Sequence, residues 1–399
     1  MPGPSLVQRA QQGAGVALNS SPNTMHVLSS SVRYVPADNG VNIAWTAHGN
    51  GSPALVMVPG LFSHLALDWQ DDAGWFHQRL AERFRLIRYD RPGCGLADRD
   101  LWDFTLEGQV DGLRRVIHDS GERRVALFAS GLAAPAAIAF AAAHPDRVDH
   151  LVLFNAAPRL IASEDYPDGN DAALFRAAQS LVLADWSLAA HTLVHLFAPG
   201  SNTDTIDRLV AAWCSSMSSR AAADLLDQAM EIDVRHLLAK LVVPTLVLQR
   251  RDHFASVNNA YRLTEAIRGS ELRLLDGSAH FPWHGNRSTV VRLVSDFVGR
   301  KQIPLTVREM DIMRAVQAGL SNREIGHQLN ITAHTVARHL SNVFLKLNVS
   351  SRVAALAELR AAGGLEEDWR VEDQGAPSKA VSPRDGEGDK PQDVRLRVS

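Results

Sequence analysis

Apolar positions follow two rhythms along this chain, and the rhythm changes near residue 300. Before that point, short unbroken apolar runs alternate with longer stretches of helical spacing. Segments 54–58, 84–89, 124–128, 150–154, 244–248 and 271–275 are too short for helices and apolar on both faces. They predict buried strands of a mostly parallel sheet with crossover helices. Turn residues follow several of them: Pro59-Gly60, the segment from Asp90 to Gly93, and Asp276-Gly277. Residues from about 160 to 235 interrupt the strands with helical sequence rich in Ala, Leu and Trp, as a cap inserted over a sheet would.

Beyond 300 only the helical period remains. Ile312, Val316, Ile325, Leu329, Val336, Leu340, Val343, Phe344 and Leu347 mark four short helices sharing one small core. Thr306 with Glu309, and Ser321 with Glu324, are spaced as capping boxes. Thr332 caps a third helix, Ser350 or Ser351 a fourth, and Gly319 stands where a left-handed helix end is wanted. The tight link Leu329-Asn330-Ile331 between the second and third helices predicts a helix-turn-helix.

With 399 residues, of which 46% are hydrophobic, the chain has room for one large domain and one small one. The expected boundaries are 31–300 and 301–365. The flanks 1–30 and 366–399 are polar or charged enough to be expected disordered. Cys94 and Cys214 form neither a disulfide framework nor a metal spacing, which fits a reducing cytoplasm. No signal peptide or membrane-length apolar run is read, and no cofactor or metal is called for. The whole chain carries a formal charge of −3. Residues 301–365 are instead basic: Lys301, Arg308, Arg314, Arg323, Arg338, Lys346, Arg352 and Arg360 face only Glu309, Asp311, Glu324 and Glu358. Such a module suits phosphate neutralisation on duplex DNA, although charge alone fits a protein-docking bundle equally.

The residues go further than the charge. The segment LTVREMDIMRAVQAGLSNREIGHQLNITAHTVARHLSNVFLKLNVSSR resembles the LuxR-type (GerE-like) helix-turn-helix family over about 60 residues. That resemblance implies a recognition helix at about 332–347, with Thr335, Arg338, Ser341 and Asn342 on or near its DNA-facing side. It implies Asn322, Arg323, Lys346 and Ser351 as phosphate contacts, and dimerisation through a last helix at about 350–360. Ala337 departs from the family's usual Lys or Arg, which shifts specificity onto Arg338 or onto contact of Ala337 with a thymine methyl.

Residues 31–300 look like the α/β-hydrolase superfamily, on VPGLFSHLALDW, RYDRPGCGLADR, FAAAHPDRV and SAHFPW. A doubly wound, mostly parallel sheet with a helical cap is then expected. A nucleophile elbow needs small residues two places either side of its centre. Ala129 and Ala133 flank Gly131 in this way, whereas Phe128 and Leu132 would crowd Ser130. The elbow is therefore expected to centre on Gly131, which has no nucleophile, with Ser130 serving only in a shifted register. His280 matches the family's general base. His253 falls where the acid usually stands, and Asp252, one short of it, could still reach His280. The resemblance also implies a ligand site near the oxyanion region, from Gly60, Leu61, Phe62, Leu132, His280 and Trp283. Three readings stay open: a regulator whose hydrolase-like domain senses a small organic ligand, an active hydrolase or cofactor-free lyase or oxygenase fused to a DNA-binding domain, and a module whose cap surface docks a partner protein without any ligand.

Overall fold

The computed structural model describes residues 31–37, 40–69, 71–300 and 305–361. The expectations for 1–30 and 366–399 lie outside the described residues. The chain divides into two compact units, at 302/303.

The first unit is built on one sheet of eight strands: β1 (Arg33–Pro36), β2 (Asn42–His48), β3 (Ala54–Val58), β4 (Arg85–Asp90), β5 (Val125–Ser130), β6 (Val148–Phe154), β7 (Thr245–Arg250) and β8 (Glu271–Leu275). Their spatial order is β1-β2-β4-β3-β5-β6-β7-β8. β3 to β8 run parallel, and β1 and β2 are antiparallel at one edge. The six parallel strands coincide with the apolar runs, shifted by one or two residues at their ends. The two antiparallel strands were not legible: β1 is largely exposed and lacks the buried pattern, and β2 is buried but mixes polar with apolar residues rather than forming an unbroken apolar run.

Alternation along the parallel strands divides the core in two. Val56, Leu127, Leu151 and Val247 point to the face covered by α2 (Leu106–Asp119), α3 (Ala134–Ala143) and α8 (Asn258–Ala266). Leu55, Phe128, Val152 and Leu246 point to the face covered by α1 (Asp71–Ala81) and α9 (Arg287–Val298). Between β6 and β7 the chain leaves the sheet for four cap helices: α4 (Ala172–Ala184), α5 (Trp186–Phe197), α6 (Thr203–Ser216) and α7 (Ser219–Glu231). Val182, Val194, Val210, Trp213 and Leu225 give the cap its own core.

The second unit is four helices: α10 (Val307–Gln317), α11 (Asn322–Gln328), α12 (Ala333–Leu347) and α13 (Arg352–Ala361). Both capping boxes form, on Thr306/Glu309 and Ser321/Glu324. Thr332 caps α12 through the Thr335 amide, and the Ser351 hydroxyl accepts from the Ala354 amide at the start of α13. Ile312, Ile325, Val336, Leu340, Val343 and Leu359 are buried together. Asn348 ends α12 in the left-handed conformation, φ +54°.

Candidate ligand pocket and nucleic-acid interface

β5 ends at Ser130, and the chain turns through Gly131–Ala133 into α3. Gly131 sits at the apex with φ +52°, a left-handed backbone that costs other residues about 1–2 kcal/mol. A Cβ at 131 would lie 2.7 Å from Cε1 and 3.0 Å from Nε2 of His280. The imidazole thus occupies the room a side chain at the apex would need. Ser130 is still in extended geometry, and its Oγ lies on the Gly60 side.

The loop carrying His280 is tied down on several sides. Asn155, at the end of β6 with φ +46°, donates its side-chain amide to the carbonyls of Ala279 (3.2 Å) and His280 (3.3 Å). Its Oδ1 accepts from the Arg250 amide at 2.9 Å. The buried Arg250 guanidinium donates to the carbonyls of Asp276 and His284, which bracket the same loop. The His280 amide donates to the carbonyl of Phe197 at 2.8 Å, and the two rings stack 4.3 Å apart. Neither Asn155 nor Arg250 was singled out from sequence. Their position at the C-terminal ends of central parallel strands, where sites of such sheets gather, was the available signal.

His253 stands in the acid's place. Its Nε2 is 3.1 Å from His280 Nδ1, and its Nδ1 accepts from the Ala255 amide at 3.1 Å. Of the two alternatives for Asp252, reaching His280 is not the one the structure shows. Successive side chains leave this turn in different directions, so His253 is buried against His280 while Asp252 is exposed. Burial lowers the pKa of His253 to about 4. Burial, helped by the neighbouring His253, lowers that of His280 to about 3. Both rings are neutral at pH 7.

A cavity of about 450 Å³ opens over Gly131. Its floor includes Leu61, Leu132, His253 and His280, and its roof comes from the cap, with Phe175, Leu181, Leu193, Phe197 and Leu225. No Asp, Glu, Lys or Arg is among its described lining residues. Of the expected ligand residues, Leu61, Leu132 and His280 line this cavity, together with Gly131. Phe62, Gly60 and Trp283 do not, and the expectation is corrected there. Phe62 is held by Trp213 and Trp186, at 4.3 and 5.3 Å between ring centres. Trp283 stacks on Phe281 at 5.1 Å and meets His77 at 5.6 Å. Phe62 and Trp283 line a separate cleft of about 280 Å³ instead.

In the helical unit, Arg338, Ser341, Asn342 and Leu345 are all exposed along one side of α12, at spacings of three and four. Leu345, 80% exposed on the same side, was not singled out from sequence, where it was assigned neither to the core nor to the DNA-facing side. Thr335 and Ala337 are half-buried beside this face, and the Thr335 hydroxyl is 2.8 Å from that of Thr332. Among the described residues, Arg323 and Arg338 have neither an ion-pair nor a hydrogen-bond partner. Lys346 differs: its ammonium is 2.6 Å from the buried carboxylate of Glu309. Burial alone would raise the Glu309 pKa, but Lys346 and the Thr306 N–H and O–H hold it below the usual value. The Asn322 carbonyl likewise accepts from Arg352 at 2.6 Å. Lys346 and Asn322 therefore join helices to one another, and Ser351 serves as a cap.

An eight-stranded, mostly parallel sheet with a strand-to-helix elbow, a loop histidine behind it and a helical cap defines an α/β-hydrolase fold, here in one chain with a helix-turn-helix. The alpha/beta hydrolase fold signature matches residues 53–285, and the chain belongs to that family. Residues 303–358 match the bacterial regulatory proteins of the luxR family, so the chain carries a LuxR-type DNA-binding domain. A pimeloyl-[acyl-carrier protein] methyl ester esterase of Neisseria meningitidis serogroup B is 27% identical over 223 residues, spanning 55% of this chain and 84% of its own. A nitrate/nitrite response regulator protein homolog of Haemophilus influenzae is 53% identical over 51 residues, 13% of this chain and 24% of its own. Among solved structures, an esterase from Exiguobacterium antarcticum superposes with a TM-score of 0.62 at 20% identity, over 67% of this chain and all of its own, a likeness of fold alone. Among the described residues, no helix is long and apolar enough to cross a membrane.

Proposed function

We propose that this protein is a cytoplasmic, dimeric transcriptional regulator whose hydrolase-fold unit binds a small organic ligand without turning it over. One observation carries the reading: the apex of the elbow is a glycine, and it lies under a largely apolar cavity of about 450 Å³, a volume typical of small-molecule sites. Acyl transfer needs an attacking oxygen at that apex. With none there, the retained geometry can bind a ligand but does not attack it. The amides of Leu61 and Leu132 receive a ligand oxygen, as an oxyanion site would.

On the DNA side, Arg338, Ser341 and Asn342 read base edges in the major groove, with Ala337 and Leu345 offering apolar contact to thymine methyls. Arg323 contacts phosphate, and the Thr335 hydroxyl borders the same surface. Ligand alters DNA binding to the extent that it prefers one conformational state of the chain over another.

The test uses the full-length chain. DNA sites are selected from a random duplex pool, and affinity for them is measured with and without ligands that raise the melting temperature. The reading predicts a steep salt dependence, a shift in affinity with ligand, and no turnover of simple p-nitrophenyl esters. The second reading, an ester hydrolase that also binds DNA, is favoured by the likeness to the Neisseria esterase. Ester turnover abolished by Ser130→Ala would establish it.

A further inference from the structure

The histidine pair under Gly131 has a determined proton arrangement. A backbone amide can only donate, so the Ala255 N–H makes His253 Nδ1 an acceptor, without a proton. The single proton of neutral His253 is then on Nε2, 3.1 Å from His280 Nδ1, and it is donated there. His280 Nδ1 is in turn the acceptor, which leaves its own proton on Nε2. Nε2 is the atom beside Gly131, on the cavity side, and it has no hydrogen-bond partner among the described residues. A carboxylate in place of His253 would impose the reverse: it would accept a hydrogen bond from a protonated Nδ1 and leave Nε2 with a lone pair. Replacing the acid by His253 turns the catalytic base into a donor.

We propose that His280 offers its Nε2–H as the recognition group of the cavity, and that the ligand is an uncharged carbonyl compound with an aliphatic body. The other polar side chains of the lining are already engaged. Asn155 holds the His280 loop; Gln109 is bonded to the Phe104 carbonyl and to Arg91; Asn170 and Thr192 donate to the carbonyls of Leu160 and Leu188. An anionic ligand finds no cation to offset its desolvation there. A neutral acceptor satisfies the His280 Nε2–H, beside the backbone amides of Leu61 and Leu132. At ~30 Å³ per water-sized group, the volume admits on the order of fifteen non-hydrogen atoms. The proposal names the ligand class of the sensor reading and rests on it, but its first test needs neither DNA nor ligand.

That test is nitrogen NMR of the full-length chain labelled with 15N-histidine, with His253→Gln and His280→Gln used for assignment. Protonated Nε2 and bare Nδ1 on His280 are expected; a bare Nε2 would overturn the donor assignment. Binding is then followed by tryptophan fluorescence with 2-undecanone, 2-undecanol, undecane and undecanoate. The ketone and the alcohol are expected to bind at least fivefold tighter than the alkane, and undecanoate weakest. In His253→Asp the ketone should lose its advantage while the alcohol, which can also donate, keeps its own. Ketone and alkane binding alike, or neither binding, would overturn the ligand class. Ketone binding that leaves DNA affinity unchanged would instead sink the sensor reading and leave the donor assignment standing.

Discussion

The elbow of the hydrolase unit and the recognition helix of the C-terminal unit treat their polar groups in opposite ways. At the elbow, His253, Asn155 and Arg250 are turned inward and bond to His280, to each other and to backbone groups of the surrounding loops. On α12, Arg338 and Asn342 are turned outward, while Lys346 ties α12 to Glu309 of α10 and Arg352 ties α13 to Asn322 of α11. The contrast separates two classes of residue that sequence motifs merge: those that build a site and those that act from it. In the first unit the building residues persist around an apex without a nucleophile. In the second, three positions expected to touch DNA, Asn322, Lys346 and Ser351, take part in the building.

The widest separation between the units should appear with acid. His253 and His280, with pKa values lowered to about 4 and about 3, take up protons only when the chain unfolds. Their contribution is complete above pH 6.5 and is lost as pH falls from 6.5 toward those values, at about 1.4 kcal/mol per unit of depression. Seven tryptophans (45, 69, 75, 102, 186, 213 and 283) lie in the first unit, and none lies in 305–361. Tryptophan-detected melting of the full chain should therefore fall steeply between pH 6.5 and 4. A flat profile across that range would mean the two rings are not buried as neutral species.

Arg338→Ala is expected to weaken binding to selected sites by about 1–3 kcal/mol, roughly ten- to a hundredfold, and binding to random duplex far less. An equal loss on both would make Arg338 a phosphate contact. Lys346→Ala should do the reverse. Removing the partner of a buried carboxylate, with the lysine itself about a third exposed, should lower stability by about 1–2 kcal/mol while the preferred sequence stays the same.

Gly131→Ser should cost about 1–2 kcal/mol from the left-handed backbone, with more from displacing His280, and should leave ester turnover at background. The serine would meet a protonated Nε2 that cannot accept its proton. Turnover is expected only when Gly131→Ser is combined with His253→Asp, which restores both the nucleophile and the polarity of the base. Turnover in the single variant would show that His280 can still serve as a base. The smallest effect belongs to Asp252→Asn: being exposed, it should change neither melting nor ligand binding by more than about 0.5 kcal/mol.

Much of this was legible in one dimension. The central strands are buried on both faces and so must be apolar throughout, and the caps of α10 to α12 need particular side chains at particular offsets. Local chemistry of this kind is written directly into the residues. The glycine at the apex was legible too, because the elbow tolerates only small residues at 129 and 133. Edge strand β1 escaped notice, since its exposure removes the pattern that marks the others. β2, though buried, interleaves the polar residues Asn42, Thr46 and His48 with apolar ones and so does not read as an unbroken apolar run.

The sequence by itself determined the class of each unit and the absence of a side chain at 131, because these depend on periodicity and on residues within a few positions of one another. Only the tertiary structure decided that His253 rather than Asp252 meets His280, that Phe62 and Trp283 turn away from the cavity, and that Lys346 holds Glu309. Each of these is a contact across long stretches of chain or a choice between directions of a turn. Such choices are made by how the layers pack, and residue type alone does not encode them.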